Sequence, residues 1–137
     1  MTTQRCVLGT VVGGIILFVL GYLIYGVAFA AFFGANAGSA TGVERESPDF
    51  VALAIGQIVW GGLLTLVLGW TRSATIGSAL KTGAVVGLLF FLGMDLTLYA
   101  TTNISTLKGA LVDPILAMIL FAIAAAAIVP VLGKSQA

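Results

Sequence analysis

The chain has 137 residues, 60% of them apolar and only 8% charged, against roughly a quarter charged in a soluble domain. Six Lys and Arg against five Asp and Glu leave a net charge of +1, which provides no basic field for nucleic acid. With no histidine and one cysteine, Cys6, an internal disulfide, a Cys/His zinc site and a histidine-based triad are all excluded. The composition is that of a small integral membrane protein.

A hydrocarbon core about 30 Å thick takes some 20 helical residues at 1.5 Å each. The first span, 7–33, carries no charge and is long enough to cross with some tilt. Arg5 ahead of this run, with the small-x-small triplets Ala28-Phe29-Ala30 and Ala35-Asn36-Ala37, has the outline of a signal peptide. The run is far longer than a signal core of 7–15 residues and reads as a retained helix. A polar loop, 34–49, follows, and its Gly38-Ser39-Ala40-Thr41-Gly42 stretch reads as mobile. The loop acids Glu44, Glu46 and Asp49 lack the ligand count and glycine placement of a calcium loop.

The second span, 50–70, is again uncharged, and Ser47-Pro48 before it reads as an N-cap with a first-turn proline. Thr71 to Ser78 lead to the third span, 79–101, which holds Lys81 near its start and Asp95 well inside. A polar turn, 102–106, precedes the fourth span, 107–132, where Pro130 marks the termination. Membrane strands alternate over segments of about ten residues, whereas these runs are continuously apolar for twice that. The expected fold is all-α, one domain of four transmembrane helices running up, down, up and down.

Arg5, Arg72, Lys81 and Lys134 fall on one side of such a bundle with no acid beside them. Arg45 and Lys108 fall on the other, with Glu44, Glu46 and Asp49. The positive-inside rule puts both termini in the cytoplasm. Trp70 beside Arg72 reads as an interface anchor. Gly9 to Gly13 and Gly83 to Gly87 have the four-residue spacing of a close-contact face. Packing within the chain is the first reading of those faces, and a homodimer contact the second. Leu17–Gly21 and Leu89–Gly93 are alike over five positions, a match that chance explains in apolar sequence.

The informative residues are the polar ones at membrane depth. Asp95 is fourteen residues past Lys81, about 21 Å along the axis, which leaves it about 9 Å short of the far boundary. Asp113 is five residues past Lys108, about 8 Å below that same boundary. Gln57 lies near about 10 Å from it, Tyr22 and Tyr25 reach the same level, Tyr99 stands one turn above Asp95, and Trp60 one turn deeper than Gln57. An ionisable group in hydrocarbon is costly unless paired, solvated or neutralised. Asp95 should therefore face the interior, and two carboxyls there favour sharing one proton, with the tyrosines and Gln57 as hydrogen-bond partners. For Asp113 the leading alternative is an N-cap ahead of Pro114. Tyr22 and Tyr25 also suit an interfacial aromatic belt.

The run Gly21-Tyr22-Leu23-Ile24-Tyr25-Gly26-Val27-Ala28-Phe29, the acidic loop and the later Gly77-Ser78-Ala79 to Gly87 segment resemble a family of small bacterial four-helix membrane proteins, known as a domain of unknown function (the DUF1761 type). Where that family often has tryptophans around the tyrosine, this chain has Leu23-Ile24 and Phe32-Phe33. The resemblance implies the fold and a bacterial inner membrane, and it carries over no catalytic residue. Small multidrug transporters have this size too, but their first-helix glutamate has no counterpart here.

Three roles follow in order. The first is a structural or accessory subunit that packs through its glycine faces, with the bilayer and a homodimer or larger membrane complex as partners. The second is binding or proton-coupled transport of a small ligand or cation around Asp95. An enzyme is the weakest, because no nucleophile, metal set or cofactor motif accompanies the carboxylates; no cofactor is expected.

Overall fold

The computed structural model describes residues 1–133; Lys134, counted above with the basic residues of the termini, lies outside them. Helix α1 (Thr3–Gly21) runs into a π-helical segment (Tyr22–Ala28) and a short α2 (Ala30–Ala35). Three long helices follow, α3 (Phe50–Trp70), α4 (Ile76–Thr101) and α5 (Leu107–Leu132). The four stretches Thr3–Ala28, Phe50–Trp70, Ile76–Thr101 and Leu107–Leu132 are each long and apolar enough to cross a membrane. Among the described residues the only extended pairing is one isolated bridge, Ala37 with Ser105.

Local chemistry sets the ends, in several places differently from the sequence expectation. Asp49, not Ser47, caps α3: its side chain accepts from the Ala52 N–H at 3.0 Å, and Pro48 stays outside the helix. Aspartate competes well for this position because a short carboxylate reaches the free N–H groups of the first turn. Thr75 and Ser78 form a reciprocal capping box that starts α4 at Ile76, three residues before the expected Ala79. Thr106 caps α5 through the Gly109 N–H at 3.2 Å. Asp113 is thus well inside the helix, and its reading as an N-cap is overturned. Pro114 and Pro130 are both internal to α5, so Pro130 does not end it. Gly133, at φ 74°, follows the last residue, and Arg5 donates to the Leu132 carbonyl there at 3.1 Å.

Helix α5 is the centre of the bundle. Half of its most apolar stretch is buried, against 11–22% in the other three spans. Its small residues make that possible. A Cβ placed on Gly87 of α4 would sit 2.9 Å from the Ala117 carbonyl carbon, and one on Gly83 2.7 Å from the Ala125 Cβ. The two backbones therefore approach as only glycine allows. On the other flank, a Cβ on Gly13 of α1 would sit 3.1 Å from the Gly61 Cα of α3, and one on Gly9 2.9 Å from the Thr65 Cγ2. Helices α3 and α4 touch only lightly, and an aromatic cluster closes that seam. The ring of Trp60 lies 4.6 Å from Phe90, 5.8 Å from Phe91 and 5.8 Å from Phe121. Branched side chains at four-residue spacing, Val11, Ile15 and Val19 on α1, Val51, Ile55 and Val59 on α3, and Ile115, Ile119 and Ile123 on α5, remain exposed, which suits lipid contact.

Candidate functional site

The loop after α2 is fastened down rather than free, which corrects the expectation of mobility for its first part. Gly38 donates to Ile104 at 3.1 Å, Ala40 to Asn103 at 3.0 Å, and Thr106 returns a bond to the Asn36 carbonyl at 2.9 Å. The Thr106 hydroxyl also donates to Asn36 Oδ1 at 3.0 Å. Gly38 is required here, because a Cβ on it would meet the Ser105 nitrogen at 2.9 Å. This clasp ties the 36–40 strand to the turn between α4 and α5 and roofs the bundle at the loop end.

Beneath the roof lies a cavity of about 200 Å³ lined by three acids, Glu44 from the loop, Asp95 from α4 and Asp113 from α5, together with Asn36, Ser105 and apolar neighbours. The lining contains no Lys or Arg. Lys108, next in the chain to the lining residue Gly109, instead holds its ammonium 5.7 Å from the centre of the Phe32 ring. Asp95 and Asp113 lie side by side. Asp113 Oδ1 accepts a hydrogen bond from the Tyr25 hydroxyl. Asp95 Oδ2 is buried and has no hydrogen-bond partner among the described residues. Ala110 also lines the cavity, and its carbonyl loses its usual helical donor because residue 114 is proline. The chamber is therefore rich in acceptors and poor in donors.

Tyr25 reaches Asp113 from the middle of the π-helical segment. Phe29 N–H bonds back to the Ile24 carbonyl at 2.7 Å, five residues earlier, which is the wider turn of a π-helix. The ring of Tyr25 also packs 5.4 Å from Phe33. On its other side the ring lines a second, larger cavity of about 630 Å³, enclosed mainly by apolar side chains of α1, α3 and α5. One side chain thus lines the apolar space and bonds to an acid of the polar one.

The sequence-predicted residues distribute over this arrangement unevenly. Asp95 and Asp113 line the polar cavity, and Tyr25 bonds to Asp113 from the apolar one. Gln57, Trp60 and Tyr22 line the apolar one, with Tyr22 still 60% exposed. Tyr99 lines neither cavity and is 42% exposed, so it is not brought to Asp95. Gly9, Gly13, Gly83 and Gly87 all face other helices of the same chain. Sequence reasoning passed over Glu44, Asn36 and Ser105 as loop residues. The one available signal was the pairing of Asn36 and Gly38 just beyond a span, since a glycine that must lie against another backbone often marks a docked loop.

Among the described residues no group of three or more Cys, Asp or Glu gathers closely enough to hold a metal ion. The groups gathered here are instead two adjacent carboxyls, one phenol and a third acid at the roof, a set suited to a proton or a single ammonium-like donor. No family model, curated protein or solved structure matches this chain.

Proposed function

We propose that this four-span membrane protein is a small binding module that takes one cationic group between Asp95 and Asp113, in exchange for a proton. The single observation that carries this reading is that Asp95, whose Oδ2 is buried without a hydrogen-bond donor, lines with Asp113 and Glu44 a cavity that has no basic residue in its lining. Two adjacent carboxyls in a medium of low dielectric hold either a proton or a cation between them, because leaving both ionised and unpaired costs several kcal/mol. A bound ammonium would satisfy Asp95 and release the shared proton. The bias of Arg5, Arg72, Lys81 and Lys134 against Arg45 and Lys108 supports cytoplasmic termini in a bacterial inner membrane, with the polar cavity toward the outside.

Difference infrared spectroscopy tests this on the full chain in nanodiscs. Methylammonium should bleach a carboxylic-acid C=O band in the wild type, with release of about one proton per chain. Asp95→Asn should lose both signals. A wild-type spectrum that methylammonium does not change refutes the reading, as does an unaltered response in Asp95→Asn.

The accessory-subunit reading draws on a different observation. Gly56, Gly77 and Gly93 have nothing within 4 Å of the position of a Cβ, which leaves small-residue surface for a second helix. Co-purification of a stoichiometric partner, lost on Gly56→Leu and Gly93→Leu, is its test.

A further inference from the structure

We infer that the cation taken at this site is the head of an amphipathic amine, whose apolar body occupies the adjoining cavity of about 630 Å³. The inference rests on the reading of Asp95 and Asp113 as a cation site and adds the class of ligand.

The two cavities lie one helical turn apart along both α4 and α5. On α4, Asp95 is four residues beyond Phe91, and on α5, Asp113 is four residues before Ala117. Phe91 and Ala117 line the large cavity while the two acids line the small one. Each wall therefore carries its acid one helical turn, about 6 Å, from its apolar floor. Tyr25 spans the same step from the third side, with its ring on the apolar cavity and its hydroxyl on Asp113. A molecule with an ammonium at one end and an apolar body starting a few bonds away matches that spacing.

Size and lining select the body. A volume of about 630 Å³ lies in the ordinary range for a small-molecule pocket. Its lining has no charged residue, so the part of the ligand held there is neutral. Trp60, Phe91 and Phe121 form the floor, with ring centroids 5.6 to 5.8 Å apart. Phe91, one helical turn from Asp95, offers an aromatic ring beside the ammonium end, an attraction that an anion would not gain. An anionic amphiphile of equal size meets three acids at the polar end instead.

The probes are primary alkylammonium ions from methyl to octyl, with hexanoate as the anionic control. Binding is read from Trp60 fluorescence in a Trp70→Phe background, since Trp70 is 73% exposed at the opposite end of α3. Methylammonium is followed by proton release as above. Affinity referred to the aqueous concentration should rise about fourfold per added methylene until the cavity fills. Gly21 lines the apolar cavity and has open space where a Cβ would lie, so Gly21→Leu fills part of that volume without a backbone clash. It should flatten the chain-length series, and Asp95→Asn should abolish saturable binding of every member. If methylammonium binds but affinity does not rise with chain length, or rises equally in Gly21→Leu, the inference fails while the cation site stands. If no member of the series binds, the cation site itself fails. Saturable hexanoate binding equal to that of hexylammonium also overturns the inference.

Discussion

Removing the Tyr25 hydroxyl isolates the one side-chain bond that joins the π-helical segment to α5. Tyr25→Phe deletes a single oxygen and keeps the ring packed on Phe33 at 5.4 Å. In a water-soluble protein a hydrogen bond to a charged group contributes about 1.5–3 kcal/mol. Between membrane helices the measured average is nearer 0.6, with a maximum of about 1.7, because the separated helices find other partners within the bilayer. The Tyr25–Asp113 bond belongs near the top of that range. Its acceptor is a carboxyl, which strengthens the bond. The expected coupling between the two residues is about 1–1.5 kcal/mol, a 5- to 13-fold change in the unfolding constant. A double-mutant cycle of Tyr25→Phe and Asp113→Ala, unfolded by SDS in mixed micelles, measures it. Asp113→Asn should retain part of the coupling, since an amide oxygen still accepts from the phenol. Coupling within about 0.5 kcal/mol of zero, the scatter expected of independent sites, would refute the claim that this bond holds the wall between the two cavities.

Three further outcomes follow from the same geometry. Gly87→Ala should destabilise by about 1–3 kcal/mol, because its Cβ would press on the Ala117 backbone; Gly93→Ala on the same helix meets nothing within 4 Å and should be neutral or slightly stabilising in the same SDS titration. Gly38→Ala should break the clasp over the polar cavity, seen as faster hydrogen exchange at the Gly38, Ala40 and Thr106 amides and little change at the α5 core. In a Cys6→Ser background, an impermeant thiol reagent should label Thr41→Cys from the side opposite to Thr3→Cys; labelling of both from one side would contradict the alternating spans.

The spans were legible because length and continuous apolarity are physical requirements of the bilayer, and they leave few alternatives. Helix ends were less so. Ser47-Pro48, Asp113-Pro114 and Pro130 all read as end signals under rules learned in water, where a proline inside a helix leaves a carbonyl and a steric clash that end it. In α5 the helix continues through both Pro114 and Pro130, packed between α1 and α4, and the true cap, Thr106, stands seven residues before Asp113. Asp95 and Asp113 were placed at one depth by counting from Lys81 and Lys108, and the structure has them on one cavity. Counting fixes height along an axis but not azimuth. Tyr22, Tyr25 and Tyr99 had comparable claims by height, and only the direction of each side chain separates them. The π-helical turn decides that direction for Tyr25, and no periodicity of the Gly21–Phe29 sequence announces it.

The same distinction explains why the site needs its unusual backbone. A straight α-helix through residues 22–28 would advance 100° per residue, and the wider π turn changes the face on which Tyr25 emerges relative to Leu17 and Gly13, which are buried in the core. Helix α1 can therefore pack its glycine face on α3 and still deliver a phenol to α5. The order of α1 on α3 and of α4 on α5, each fixed by glycines, leaves the space between the two pairs to be filled by larger groups. Near the termini, Leu64, Leu68 and Ile128 fill it completely. Toward the loop end, Ala117 and Gly21 are too small to do so. The cavities lie between two tightly joined helix pairs where the facing residues are small, and Asp95 and Asp113 line the one nearest the roof.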